Sequence, residues 1–249
     1  MEQQVQELGE HLQAKLKNLP AGRRYLVSIC GVPGSGKSSL AKHVVAYVNR
    51  VDRSSSGVAL SPQTEARPPG NELAPAIVVG MDGWHLTREQ LDQMPDPKTA
   101  HARRGAAFTF DGEAFSAFVL SLREQPLSAR VTAPSFSHAA KDPVAHGLSV
   151  LPQHTLIVIE GLYCNVDAPP WRAAARAFDE RWVVQVERAV AKRRLVARHV
   201  LTGVARDELE ALWRAENNDL PNGDWLLEHI VEPARRLPSL EDGSWSGNA

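Results

Sequence analysis

Two cysteines in 249 residues leave no room for a disulfide framework. Cys30 and Cys164 each sit beside an apolar run and read as small buried hydrophobes. The chain therefore suits a reducing compartment and is expected to be cytoplasmic. No apolar run approaches the length needed to cross a bilayer, and Met1-Glu2-Gln3-Gln4-Val5 does not open a secretion signal. Neither sign of charge is in excess: 28 Lys and Arg stand against 29 Asp and Glu. That balance gives no sign of electrostatic capture of nucleic acid or of a membrane surface. No His/Cys cluster has zinc spacing, and neither an internal repeat nor a nucleic-acid-binding module is present. The length suits one large α/β domain, with or without a small lid, rather than two full domains.

Against these absences one stretch stands out. Gly31-Val32-Pro33-Gly34-Ser35-Gly36-Lys37-Ser38 satisfies every fixed position of G-x-x-x-x-G-K-[ST], with Ser39 next in line. A short apolar run, Tyr25 to Cys30, precedes it as a buried strand would. Ser39 to Val48 follows with apolar residues at helical spacing. Glycines let the backbone approach a polyphosphate, and the helix start adds partial positive charge. Lys37 can reach the β- and γ-phosphates, and the Ser38 hydroxyl can ligate Mg²⁺.

The periodicity predicts a first amphipathic helix from Val5 to about Asn18, packed on the domain or free for a partner. Residues 51–75 read as a flexible insertion. Further strands are expected at Ala76–Met81, Thr155–Ile159 and Arg181–Val186, with a last short one at Glu228–Val231. Asp96–Gly105 reads as a proline-bearing loop, Gly112–Arg123 as a helix capped by Asp111, and Ser128–Val150 as a hairpin or flap. Helices are expected over Ala189–Leu201 and Asp207–Glu216, with Asn217–Gly223 a turn by composition. Residues 1–20 thus form the leading helix, 21–237 the domain that carries the phosphate loop, with a lid at 188–220, and 238–249 a flexible tail. The alternation argues a three-layer α/β fold with a parallel sheet covered on both faces.

In open α/β sheets ligands bind beyond the carboxyl ends of the strands. Asp82 and Glu160 both end apolar runs there, so both should face the phosphate loop. One is needed near Mg²⁺ and the other near an acceptor hydroxyl; spacing does not say which. His85 either binds the acceptor, orients Asp82, or is a polar loop residue. Trp84 either packs or stacks on a ligand. Among the basic residues after the fourth strand, Arg194 and Arg198 share a helix face and can close over a transferring phosphoryl group.

Several segments recur in a known order. They are Gly31 to Ser38, Asp82-Gly83-Trp84-His85, Arg103-Arg104-Gly105 leading to Thr109-Phe110-Asp111, Pro134 to His138 with Lys141-Asp142-Pro143, and Ile159-Glu160-Gly161-Leu162. This set resembles the P-loop kinases of the uridine kinase, pantothenate kinase and phosphoribulokinase family, closest to the uridine kinase-like branch. The resemblance implies transfer of the ATP γ-phosphoryl group to a hydroxyl of a small metabolite, a nucleoside or a pantothenate-like acceptor. It implies Asp82 as base, Glu160 in support of Mg²⁺ or substrate, Arg104 and His138 in the acceptor pocket, and lid arginines at Arg194 and Arg198. Asp82-Gly83-Trp84-His85 departs from the Asp-Ser-Phe-Tyr of uridine kinases. A homodimer is compatible with the sequence. The rival reading is a nucleotide-driven switch acting on a protein partner, to which the acceptor-side segments are superfluous.

Overall fold

A computed structural model describes residues 1–55, 74–124, 127–137 and 139–240, with the backbone alone for 51–55. In chain order these form α1 (Glu2–Lys17), β1 (Tyr25–Gly31), α2 (Lys37–Ser55), β2 (Ala76–Gly80), α3 (Arg88–Asp92), α4 (Pro97–Ala102), α5 (Gly112–Glu124), β3 (Val131–Ser137), β4 (Asp142–Val150), β5 (Leu156–Glu160), α6 (Arg172–Ala177), β6 (Glu180–Gln185), α7 (Arg188–Leu201), α8 (Glu208–Arg214), α9 (Leu220–Glu228) and β7 (Arg235–Pro238). Among the described residues, no helix is long and apolar enough to cross a membrane.

The main sheet has the order β2-β5-β1-β6-β7, and all its pairings are parallel. Its central strands are apolar on both faces. Leu26 and Cys30 of β1 join one core cluster, while Val27 and Ile29 join the other. In β5, Ile157 and Ile159 face the first cluster, Leu156 and Val158 the second. A strand buried on both sides requires cover on both. Here α1 and α2 supply one layer; α5, α6 and the aromatic cluster around Trp171 supply the other. The three-layer architecture expected from the alternation is the one observed.

Helix α1 packs on the domain. Val5, Leu8 and Leu12 are buried against α2 and the sheet. Its polar side is pinned as well: His11 Nε2 lies 2.7 Å from Glu180 Oε1, which also accepts the Tyr25 hydroxyl at 2.7 Å. The Trp182 indole donates to Glu180 Oε2 at 2.9 Å. Burial alone would raise the Glu180 carboxyl. The hydrogen bonds from Tyr25, His11 and Trp182 outweigh burial and hold it below the ordinary carboxylate range.

The flap is an antiparallel hairpin of β3 and β4, and Asp111 caps α5 through its carboxylate to the Ala114 N–H at 2.9 Å. Other expectations need correction. Asp96–Gly105 is not a plain loop: α4 (Pro97–Ala102) lies within it and α3 (Arg88–Asp92) just before it, each with a side-chain cap, Asp96 with Thr99 and Thr87 with Gln90. Asn217–Gly223 is not a turn. It continues α8 through a π-helical turn, Ala215–Asp219, into α9, because Asn218 and Asn222 bond to neighbouring elements rather than to their own backbone. No strand forms at Glu228–Val231; Ile230 makes a single bridge to Val166, and the last strand is β7. Pro238, expected to begin a frayed end, pairs with Gln185. Most of the expected insertion, 56–73, and the end of the chain, 241–249, lie outside the described residues; α2 itself runs to Ser55.

Two stability outcomes follow from this packing. Leu12→Ala, at a fully buried position, should cost about 2–5 kcal/mol in urea unfolding. Glu180→Gln should remove a stabilisation that exists above the ordinary carboxylate pKa and fades as pH falls through the depressed folded value. The gap between wild type and variant should therefore close on acidification; a gap independent of pH would contradict the assignment.

Candidate active site

Strand register gathers the site at one end of the sheet. Glu160, the last residue of β5, lies level with Ile29 of β1 and Gly80 of β2. The phosphate loop leaves β1 at Gly31, and Asp82 follows Gly80 by two residues, in a tight turn spanning Met81–Trp84. The loop then turns into α2 at Lys37. Gly34 and Gly36 have φ of +83° and +87°, which side chains avoid. The Ser35 N–H donates to the Val32 carbonyl at 3.0 Å and closes the turn. The first N–H groups of α2 have no partner within their helix, and with the helix dipole they favour an anion at this place.

The Ser38 hydroxyl donates to Glu160 Oε2 at 2.9 Å. Burial is the largest influence on the Glu160 carboxyl and raises its pKa. Lys37 opposes that rise, the charge of Asp82 adds to it, and the Ser38 hydrogen bond and Lys42 oppose it again. Lys37, Ser38, Asp82 and Glu160 are thus brought within electrostatic reach of one another. Among the described residues, no group of three or more His, Cys, Asp or Glu could hold a metal ion unaided. The donors present, a hydroxyl and a carboxylate, are hard oxygens beside a phosphate-binding turn. They fit an ion such as Mg²⁺ that keeps its waters and takes phosphate oxygens as further ligands.

The acceptor side differs in detail from expectation. Trp84 is not a stacking platform. It is buried, with its ring edge-on to Phe115 at 5.2 Å and against Phe118 at 4.9 Å. His85 is half-buried beside the exposed Asp82, its ring 3.9 Å from that of Phe110 and 5.2 Å from that of Phe136. Its Nδ1 lies 2.9 Å from the Asp82 carbonyl, which can only accept, so Nδ1 carries the proton. Burial lowers the His85 pKa, against the opposing pull of Asp82, and favours the neutral ring.

Arg104 is not free to meet a substrate. Its Nη1 donates to the Lys141 carbonyl at 2.6 Å, and its Nη2 to the Leu86 carbonyl at 2.9 Å and to Asp142 Oδ1 at 2.6 Å. It latches the flap to the Asp82 turn. Asp142, to which no role fell on sequence grounds, also accepts the Arg88 N–H at 3.0 Å. Arg103, of the Arg103-Arg104-Gly105 segment, does not line an acceptor pocket either, and it reaches Asn218 and Asn222 instead.

On the lid side, Arg194 donates to the Gly34 carbonyl at 3.2 Å and to Ser239 Oγ at 2.8 Å, which sets it against the phosphate loop. Arg198 is exposed one turn further along α7, and its side chain makes no hydrogen bond among the described residues. Arg188 and Lys192 pair with Asp224 and Glu216. Val32 and Pro33 pack against α9 at Gly223, and the Ser39 carbonyl bonds to His43 Nδ1 at 2.7 Å. His138 lies outside the described residues.

Glu160 generates a pH prediction whose sign is opposite to that of Glu180. A carboxyl with a raised folded pKa stabilises the fold at low pH, and this stability is lost as pH rises from its unfolded toward its folded value. Glu160→Gln should therefore melt above wild type at neutral pH, with the difference vanishing in acid. A variant that melts lower at neutral pH would contradict the burial argument.

No family model matches the chain. It is 44% identical over 167 residues to the ATP-dependent kinase-like protein notR' of Aspergillus versicolor, across 66% of this chain and 95% of that protein. It is 32% identical over 218 residues to "Putative uridine kinase C227.14" of Schizosaccharomyces pombe, across 88% of this chain and 84% of that protein. Among solved structures, YFH7 from Saccharomyces cerevisiae superposes with a TM-score of 0.80 at 20% identity, across 95% of this chain and 99% of that one. A phosphate loop seated against a strand-end carboxylate, in a chain with these relatives, leads to one conclusion: the protein belongs to the P-loop kinase family related to the uridine kinases and the YFH7-like ATP-dependent kinases, and is a phosphotransferase.

Proposed function

We propose that the chain transfers the γ-phosphoryl group of ATP·Mg²⁺ to a hydroxyl of a small metabolite, a nucleoside or a pantothenate-like compound. One observation carries the division of labour: Ser38 and Glu160 are hydrogen-bonded at 2.9 Å beside the loop, whereas Asp82 is exposed next to His85. Glu160 belongs on the metal side with Ser38. Asp82 belongs on the acceptor side, where it takes or orients the hydroxyl proton. Mg²⁺, when bound, neutralises charge on the β- and γ-phosphates.

The other residues position and enclose. The loop N–H groups and Lys37 hold the triphosphate, and His85 with Phe110 forms an aromatic wall beside Asp82. Arg194, already against Gly34, lies where charge spreads over the phosphoryl oxygens. Arg198 joins it only if α7 moves on closure. The flap, latched by Arg104, covers the acceptor and keeps out water that would otherwise hydrolyse ATP. The uridine kinase name of one relative favours a nucleoside acceptor, and the two buried free cysteines suit a reducing compartment.

Incubation with ATP·Mg²⁺ and a panel of nucleosides, pantothenate and sugar acids, read by mass spectrometry, tests the proposal. One phosphorylated metabolite formed in step with ADP is expected; ADP formed with none of them phosphorylated would contradict it. Lys37→Ala should abolish turnover with the fold intact by circular dichroism. Asp82→Asn should lower kcat by about 10²–10⁴-fold while ATP affinity changes little. Equal losses in both would move Asp82 to the nucleotide side.

A further inference from the structure

The π-helical turn Ala215–Asp219 lies between the two halves of the site. Such turns are rare and tend to mark functional places, because the extra residue fans neighbouring side chains in different directions. Here consecutive polar residues reach different elements. Glu216 pairs with Lys192 of α7, and Asp219 with the buried His199 of α7 at 2.9 Å. Asn218 and Asn222, both buried, face the opposite way, toward Arg103. Arg103 Nε donates to Asn218 Oδ1 at 3.0 Å and Nη2 to Asn222 Oδ1 at 3.3 Å. Asn222 Nδ2 donates to Asn218 Oδ1 at 3.3 Å, and Asn218 Nδ2 to the Arg104 carbonyl at 3.0 Å.

Each end of this cluster touches one substrate half-site. One residue beyond Asn222, Gly223 lies so close to the phosphate loop that a Cβ there would stand 2.8 Å from Val32 Cγ1 and 2.9 Å from its Cβ. One residue beyond Arg103, the Arg104 side chain holds the Leu86 carbonyl and Asp142 of the flap. The Tyr163 hydroxyl bonds to the Gly105 carbonyl at 2.8 Å, so the segment is also tied to the chain that follows Glu160. The helical segment packs against the loop closely enough that only glycine fits at 223, and Arg103 cannot shift against that segment without leaving buried amides unpaired.

We propose that Arg103, Asn218 and Asn222 are positioning residues that hold the acceptor-side segment in fixed register with the phosphate loop. None of them touches the reacting atoms. Their role is to carry the presence of nucleotide at the loop to the Asp82 turn and the flap, so that both substrates meet at a set distance. Arginine is needed at 103 because its fork spans two amide oxygens, which a lysine ammonium on a single stem does not. The idea rests on the kinase reading only for the nucleotide; the acceptor need not be known.

Hydrogen exchange read by mass spectrometry, with and without ATP·Mg²⁺, tests it. In wild type, ATP should slow exchange by about fivefold both at residues 31–39 and at residues 82–111 and 142–150. In Arg103→Lys the slowing at 31–39 should remain, while that at the acceptor-side segments should fall to under about twofold. Asn218→Ala removes the same link from the other side and should give the same pattern; it serves if Arg103→Lys fails to fold. Acceptor-side slowing that persists in the folded variants, or is missing in wild type when 31–39 respond, would overturn the node and leave the kinase reading intact. No slowing at 31–39 in wild type would overturn the nucleotide reading and the node with it.

Discussion

The site depends on a carboxylate held at the end of a buried strand. β5 lies between β2 and β1, and parallel register sets Glu160 level with the residues that lead into Asp82 and into the phosphate loop. A carboxylate there loses water, and loss of water disfavours its charge. Lys37 and the Ser38 hydroxyl offset that cost only in part, so Glu160 stands with its pKa raised. Such a group is poised for a cation. On the proposed reading, what is unfavourable in the free protein would become favourable beside a cation that comes with the nucleotide.

The remainder of the chain serves to bring a second molecule to that place. The flap is a two-stranded hairpin outside the main sheet, and two strands alone are marginal in water. It is held by packing on the Asp82 turn and by the Arg104–Asp142 pair, both partners mostly shielded from solvent. A latch of this kind is stronger than an exposed pair, yet it can open without disturbing the core. The lid helices differ again: their ion pairs with Asp224 and Glu216 are exposed and contribute little to stability. α7 is nonetheless anchored by a buried cluster of Ala191, Leu195, Ala215 and Leu220 and by the shielded Asp219–His199 pair.

Where local chemistry decided the structure, the sequence could be read. The phosphate loop requires glycines at left-handed positions, and both observed ones, Gly34 and Gly36, belong to the motif. Strands buried on two faces announced the parallel sheet, and the strand-end acids announced the site. Reading failed where tertiary contact overrode composition. Asn217 to Gly223 has the residues of a turn, but Asn218 and Asn222 spend their amides on Arg103 and Arg104, so the backbone stays helical. Trp84 lies two residues from the strand-end acid Asp82, yet the turn directs it into the aromatic core. Arg104 has the charge of a substrate ligand, and only its distance to Asp142, thirty-eight residues away, shows it to be a latch. The helices capped by Thr87 and Asp96 escape a reading by periodicity, since five and six residues leave no periodic signal.

The central claim is that burial holds the Glu160 carboxyl above its ordinary pKa, so that on the proposed reading a metal nucleotide bound beside it would draw off a proton. Calorimetric titration with ATP·Mg²⁺ at about pH 4.3, the ordinary Glu value, repeated in buffers of different ionisation enthalpy, measures this directly. Proton release by wild type that is lost in Glu160→Gln is the expected result. Equal proton release by the two proteins would contradict the account.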